Sequence, residues 1–543
     1  MGTSNSSFVR GAAILAVTGI AARIVGAVFR IILAAILGDE GIGLYQYAYP
    51  IYSTLLVIST AGIPVALSKI MAEKIAMREY SEAMRAFRIA FVILMLSGLA
   101  IFFVLLLGAE FIAATVIRDM KAVYPLMAIS PAIFFVTIMA SLRGFFQGQQ
   151  NMLPTALSQF IEQLVRVGFA LGLVLLYLPV GIEYAAAGAT SGAAAGGLAG
   201  LLFLGFLYWR NRRSLWQEKK SQSSNPESVS RIINRILSLA VPVTIGGLVI
   251  PLISLIDLAV VPRQLQAAGF DIASARALYG QLTGMAGSVV YFPNVVALAL
   301  SMSLVPAISE AYTLKNDGLI RSRSAVAVKL TALFSIPSAV GLFVLAEPIT
   351  VLLFNNAEAG YPLAWMSWSV IPLCIYVSTT GLIQGLGKAI VPALNMLYGG
   401  IVKTILAWHL TAIPSLNVGG SALASVIGLA VAAALNLYYV RRFTGWRGKV
   451  WELLVLPGIA SAAMALTAHL IYTAIAGFTG DFLSGGLLNL FATLTAIALG
   501  IIVYFAVLLL SGGFTGEELQ MLPFIGRKLA LMAIRFRKKS GSN

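Results

Sequence analysis

The sequence predicts an all-α polytopic membrane protein with fourteen transmembrane helices, and three observations carry that prediction. Of its 543 residues, 59% are hydrophobic and only 11% charged, against about 25% charged in an average soluble domain. Apolar runs of roughly 20 residues, the length of a membrane-crossing helix, recur from end to end. The basic residues are also sorted. With the N-terminus inside, 28 of the 37 Lys and Arg fall on one side, and only Arg118, Lys121, Arg263 and Arg276 fall on the other. That is a positive-inside bias, and an even number of spans places both termini in the cytoplasm of a cell whose plasma membrane the chain crosses. The net charge of +16 then faces anionic lipid of the inner leaflet. No nucleic-acid partner is expected.

The spans fall near 11–37, 44–71, 87–109, 122–142, 153–178, 185–209 and 236–261, then near 282–312, 328–346, 361–384, 391–412, 419–440, 452–475 and 487–511. The first stays apolar through Leu37, too long for a cleaved signal segment, and is kept as a span. The sixth repeats glycine at 188, 192, 196 and 200, a small-residue seam for close helix contact. The seventh and eighth contain Pro242, Pro251, Pro293 and Pro306, which remove internal hydrogen bonds and bend a helix. A polar stretch near 210–235 reads as a linker. It separates a first six-helix lobe (1–213) from a second (231–442), with 214–230 between them. Pro64-Val65-Ala66-Leu67-Ser68 resembles Val305-Pro306-Ala307-Ile308-Ser309, and Phe146-Gln147-Gly148 resembles Ile383-Gln384-Gly385. Both suggest that the lobes are parallel repeats with a substrate site between them. Helices thirteen and fourteen (443–511) have no counterpart and are appended. Residues 512–543 open on Thr515-Gly-Glu-Glu518, a capping-box pattern, and continue as a basic amphipathic tail.

Several chemistries are excluded. The single Cys374 allows no intramolecular disulfide and no cysteine-based zinc site, and His409 and His469 share no ligand spacing, so no metal or cofactor is expected. Gly387-Lys388 is followed by Ala389 and is not a Walker A motif.

A charge buried in a bilayer costs about 2.5–3.5 kcal/mol on insertion scales. In the first span, Gly19, Arg23, Gly26 and Arg30 are four, three and four residues apart and share one face. Two guanidiniums flanked by glycines make a roomy cationic wall, and guanidinium forks match phosphate oxygens. In the fifth span, Ser158, Glu162 and Arg166 form a polar stripe, and the order Glu162 to Arg166 favours an intrahelical pair. Lys403, on one face with Asn395 and Gly399, is a second cationic point. Asp257 in the seventh span either pairs with an Arg or binds a coupling cation.

These residues resemble a known family. The strings at 43–74 (GLYQYAYPIYSTLLVISTAGIPVALSKIMAEK), 142–166 (LRGFFQGQQNMLPTALSQFIEQLVR) and 301–313 (SMSLVPAISEAYT) look like the stage V sporulation protein B and YtgP branch of MurJ-like flippases. That branch belongs to the multidrug/oligosaccharidyl-lipid/polysaccharide exporter superfamily. The resemblance implies two six-helix lobes around a central cavity, a last helix pair forming a lipid-facing groove, and transport without enzymatic chemistry. It implies lipid II, a polyprenyl-diphosphate-linked peptidoglycan precursor, as substrate, moved from inner to outer leaflet by alternating access. It also implies a place beside the cell-wall synthesis machinery and, in this branch, in sporulation. Arg23 and Arg30 occupy the positions of the family's first-helix arginines. The chain departs from the flippase pattern at Ser288, where the better-studied proteins carry Arg, and across Thr54 to Ile63, which contains no basic residue. Export of another polyprenyl-linked glycan and cation-coupled drug antiport by the same fold stay open. The driving force is membrane potential or a monovalent cation.

Overall fold

The computed structural model describes residues 2–217, 227–446, 448, 451–478 and 485–511, apart from the side chains of residues 2–17, 20, 23, 211–217, 452, 478 and 485. The expected amphipathic tail at 512–543 lies outside the described residues, as does most of the 214–230 linker. Among the described residues there is no strand.

The helices are α1 (Gly2–Thr60), α2 (Ile63–Ala76), α3 (Tyr80–Ile112), α4 (Val123–Gly148), α5 (Leu153–Tyr177), α6 (Ile182–Gln217), α7 (Val229–Ala267), α8 (Ile272–Tyr279) and α9 (Gly287–Thr313). They continue as α10 (Asp317–Val344), α11 (Ala346–Phe354), α12 (Gly360–Ser367), α13 (Val370–Gly385), α14 (Ile390–Leu410), α15 (Asn417–Thr444), α16 (Leu456–Phe478) and α17 (Gly485–Leu510). Among the described residues twelve segments are long and apolar enough to cross a membrane, and the pair α12–α13, bent by 46°, makes a thirteenth. One of the twelve, Ile24–Ala76, holds two expected spans. It breaks at Gly38, whose φ of 65° and ψ of −171° form a conformation open to glycine and costly for other residues. Each of the fourteen stretches read from the sequence thus falls on helix, and the chain is an all-α multi-pass membrane protein. Leu107 and Leu510 are each 79% exposed, which suits hydrocarbon as solvent.

By contacts the chain forms two compact units, Met1–Ser288 with Ala407–Val418, and Val289–Leu406 with Gly419–Asn543. This contact boundary differs from the linker that divides the proposed sequence repeats, because α7 and α8 pack within the first unit. There, a Cβ on Gly62 (φ 64°) would lie 2.6 Å from the carbonyl of Ala240 in α7, so only glycine allows that approach. The first unit's core joins α2, α3, α4, α6 and α7 around Phe87, Phe145 and Tyr208, with ring centroids 4.8–5.4 Å apart.

The glycine seam of α6 packs on α5, as its spacing predicts. A Cβ on Gly192 would lie 2.6 Å from the Arg166 carbonyl, and one on Gly196 2.5 Å from the Glu162 carbonyl. The seam therefore holds in place the backbone that carries both charged residues. In the second unit α10 packs on α13 and α16. Asn436 of α15 accepts from Asn395 at 2.8 Å and donates to the Tyr376 carbonyl at 3.2 Å, which ties α13, α14 and α15 together. Tyr504 of α17 donates to the Leu333 carbonyl of α10 at 2.6 Å.

Candidate functional site

The first unit gathers its charged span residues around a tyrosine cluster. Tyr45, Tyr49 and Tyr52 lie on the part of α1 that follows the Gly38 break, at i, i+4 and i+7, and so share one helix face. Neighbouring ring centroids are 6.0 Å (Tyr45–Tyr49) and 5.9 Å (Tyr49–Tyr52) apart. The Arg30 guanidinium carbon lies 5.3 Å from the Tyr49 centroid, and that of Arg166 lies 5.5 Å from the same centroid. Each is within cation–π range. Arg166 also donates to the Tyr45 hydroxyl at 3.5 Å. Gly26 admits α5 against α1 beside this ring: a Cβ there would sit 3.1 Å from the Gln163 amide nitrogen.

The expected intrahelical pair of Glu162 with Arg166 is replaced. Glu162 accepts from Arg143 of α4 at 2.8 Å, and the same guanidinium donates to Ser158 at 3.0 Å. The reason is geometric. Ser158 and Glu162, one turn apart on α5, present two acceptors to the two prongs of one fork, and a residue on α5 itself cannot approach them in that way. Arg166, released from Glu162, turns to the tyrosines. Among the described residues neither Arg30 nor Arg166 makes an ion pair, so the cluster carries three guanidiniums against one carboxylate. The Arg23 side chain, expected on the same wall, lies outside the described residues. Lys403 belongs to the second unit, where its Cβ would be 2.6 Å from a Cβ on Gly428 of α15. Asp257 is half-buried on α7 and acts electrostatically on Tyr279, which packs on Tyr47 with centroids 5.3 Å apart.

Arg143 and the three tyrosines escape a reading by net charge, because Arg143 sorts with the inside basic residues and tyrosine carries no charge. The signal that finds the tyrosines is their helical spacing in YQYAYPIY.

A second polar cluster surrounds the Gly38 break. Arg276 of α8, 5% exposed, donates to Asp119, 4% exposed, at 2.6 Å and to Glu40 at 3.3 Å. Gln281 donates to Asp39 at 2.9 Å. Lys121 pairs with Glu183 at 3.4 Å. Two of the four basic residues on the sparsely charged side are thus fixed to carboxylates, and α8 is tied to both the break and the α3–α4 connection.

In the second unit α9, α10, α16 and α17 enclose an apolar cavity of about 570 Å³, lined by residues such as Phe292, Leu333, Met464 and Tyr504. A groove at the last helix pair is the feature that the resemblance implies.

Residues 8–312 match the family described as polysaccharide biosynthesis protein. The chain belongs to that family. It is 30% identical over 524 residues to stage V sporulation protein B of Bacillus subtilis (strain 168), covering 96% of this chain and 99% of that protein. It is 27% identical over 520 residues to the lipid II flippase MurJ of the same organism, covering 92% and 94%. Its fold matches a solved structure of the lipid II flippase MurJ in an inward closed conformation, with a TM-score of 0.65, 18% identity, and 91% and 97% of the two chains covered. This member of the polysaccharide biosynthesis family is therefore a multi-pass membrane protein with the fold of the flippase MurJ.

Proposed function

We propose that this protein is a membrane transporter and a lipid II flippase, which moves the polyprenyl-diphosphate-linked peptidoglycan precursor across the plasma membrane by alternating access. The observation that carries the reading is the pair Arg30 and Arg166, two guanidiniums on one tyrosine ring with no carboxylate paired to either among the described residues. Like charges gathered in a low-dielectric setting call for an anion, and a diphosphate supplies oxygens for both forks. Tyr45 adds a neutral hydroxyl. The Arg143–Glu162–Ser158 cluster forms the polar floor.

The diphosphate carries roughly two negative charges. At about 2.3 kcal/mol per charge per 100 mV, outward movement through a field that is negative inside gains on the order of 4–5 kcal/mol. Both termini lie in the cytoplasm in this reading, and membrane potential drives the cycle. Asp257 is the site to examine for a monovalent cation if potential proves insufficient.

The test is rescue of cells depleted of their lipid II flippase. The wild-type chain restores growth, while Arg30→Ala and Arg166→Ala reach the membrane and fail to do so. Arg166→Lys is partly defective, because a point charge replaces a planar fork. Growth on both alanine variants removes the proposed site. A second reading, export of another polyprenyl-linked glycan, is favoured by the family's own description as a polysaccharide biosynthesis protein. In that case the wild type leaves depleted cells unrescued while the two arginines stay essential for glycan export. A drug antiporter of this fold would take cationic substrates, which a site of three guanidiniums and one carboxylate disfavours.

A further inference from the structure

The second unit holds a cavity of about 1180 Å³ that the proposed transport site does not use, where the start of α10 meets the end of α15. Four cations line it, Arg321 and Lys329 from α10 and Arg441 and Arg442 from α15, and no described residue of its wall is acidic. Among the described residues, Arg321, Arg441 and Arg442 make no ion pair. Carboxylates stand close by in the chain. Arg323 uses one, pairing with Glu310 at 3.5 Å. Asp317, four residues before Arg321 on α10, has the spacing of a helical ion pair, yet Arg321 makes none among the described residues and lines the cavity instead.

The backbone is shaped for this arrangement. Gly445 follows the last residue of α15 at φ 66°, the left-handed conformation that ends many helices, and its N–H donates to the Arg441 carbonyl at 3.0 Å. A Cβ on Gly445 would sit 3.1 Å from an Arg321 guanidinium nitrogen. The missing side chain thus lets a guanidinium of α10 lie against the end of α15. Trp446, 8% exposed, packs into the core with Ile320 and Val440 and fixes the two helix ends to each other.

Cations in the last turn of a helix complement its dipole, and that accounts for Arg441 and Arg442. It does not account for Arg321, which lies near the N-terminus of α10, where the dipole disfavours a cation. Convergence of both helix ends on one cavity calls for an anion, and guanidinium forks match phosphate oxygens. The rest of the wall is amphipathic: Tyr438, 56% exposed, stands beside Val326 and Leu453. Such walls occur at the headgroup level of a membrane, and basic pockets between transmembrane helices hold lipid phosphates there.

We infer that this cavity is a phosphate-anion site, filled either by the headgroup phosphate of an anionic lipid in the adjoining leaflet or by a free phosphate or diphosphate from the water phase. It uses neither Arg30 nor Arg166, and it does not depend on what the protein transports.

The experiment takes the purified full chain in nanodiscs of phosphatidylcholine and has two arms. One adds spin-labelled phosphatidylglycerol and reads its immobilised fraction; the other adds radiolabelled inorganic pyrophosphate and reads its retention. Lipid immobilisation that persists under excess unlabelled pyrophosphate assigns the site to a headgroup, and binding of pyrophosphate alone assigns it to a free anion. In the arm that binds, Arg321→Gln with Arg441→Gln and Arg442→Gln weakens affinity by about tenfold or more, because three charge-assisted forks are lost. The corresponding triple Lys variant keeps the charge without the forks and recovers only part of the affinity, which also separates the loss from misfolding. Gly445→Val weakens binding at unchanged net charge, because its side chain displaces Arg321. Absence of wild-type binding in both arms, or wild-type affinity in the triple Gln variant, overturns the inference. Full affinity in the triple Lys variant also overturns it, and marks diffuse attraction to a basic surface. Rescue of flippase-depleted cells is a separate readout, so the proposed function and this site can each fail alone.

Discussion

Replacing Glu162 by Gln leaves the Arg143 guanidinium without its carboxylate in a site where the two side chains are 17% and 20% exposed. Breaking a buried pair by removing one partner costs about 3–5 kcal/mol. With roughly a fifth of each side chain exposed, the lower end applies, about 3 kcal/mol. For a unit of roughly 300 residues, at about 2 cal/mol/K of unfolding entropy per residue, that lowers the midpoint by about 5 °C. Adding Arg143→Gln removes the stranded charge and leaves neutral amides that still hydrogen-bond, so the double variant recovers about 2 kcal/mol. Adding Arg166→Gln instead recovers little, because Arg166 faces Tyr45 and Tyr49. The assay is a pair of double-mutant cycles read by thermal unfolding of purified protein in one detergent. Coupling of Glu162 to Arg166 that equals or exceeds its coupling to Arg143 would refute this geometry and restore the intrahelical pair suggested by spacing.

Three further outcomes follow from the same contacts. Gly196→Ala forces a methyl to within 2.5 Å of the Glu162 carbonyl, so it should destabilise the fold by about 1–3 kcal/mol and impair transport, whereas Gly205→Ala, which meets nothing within 4 Å, should do neither. Arg276→Gln unties α8 from Asp119 and Glu40, so a Thr283→Cys reporter in a Cys374→Ala background should react faster with an impermeant thiol reagent added outside; equal rates would show that the cluster restrains nothing. Glu227 accepts a hydrogen bond from Lys74 at 2.8 Å, and that bond, more than the nearby charges, holds its carboxyl below the usual range. A depressed folded pKa gives stability that is present above the unfolded value, near 4.5, and lost as pH falls through the folded one. The unfolding midpoint should therefore drop on acidification below about pH 5, with a smaller drop in Glu227→Gln.

The number and order of the spans were legible from the sequence because hydrocarbon is an unforgiving solvent. Each crossing must be apolar for its whole length, and each charge must be sorted to a side or given a reason to be inside. The same logic singled out Arg30, Glu162 and Arg166, and the four-residue glycine spacing disclosed the α5–α6 seam, since helical periodicity alone decides which residues share a face. Partner choice was settled only in three dimensions. Spacing offered Arg166 to Glu162, but Arg143, fifteen residues before Ser158 and on another helix, reaches both acceptors with one fork. Tyr45 and Tyr49 became part of the site only once the Gly38 break carried their helix back beside Arg30. The convergence of Arg321, Lys329, Arg441 and Arg442 on one cavity, where the start of α10 meets the end of α15, was likewise invisible in a count that assigned all four to one side of the membrane. The transfer cost of a side chain is a one-body property, written into its own stretch of chain. Hydrogen bonds, ion pairs and cavities are properties of groups distant in sequence, and only packing brings those groups together.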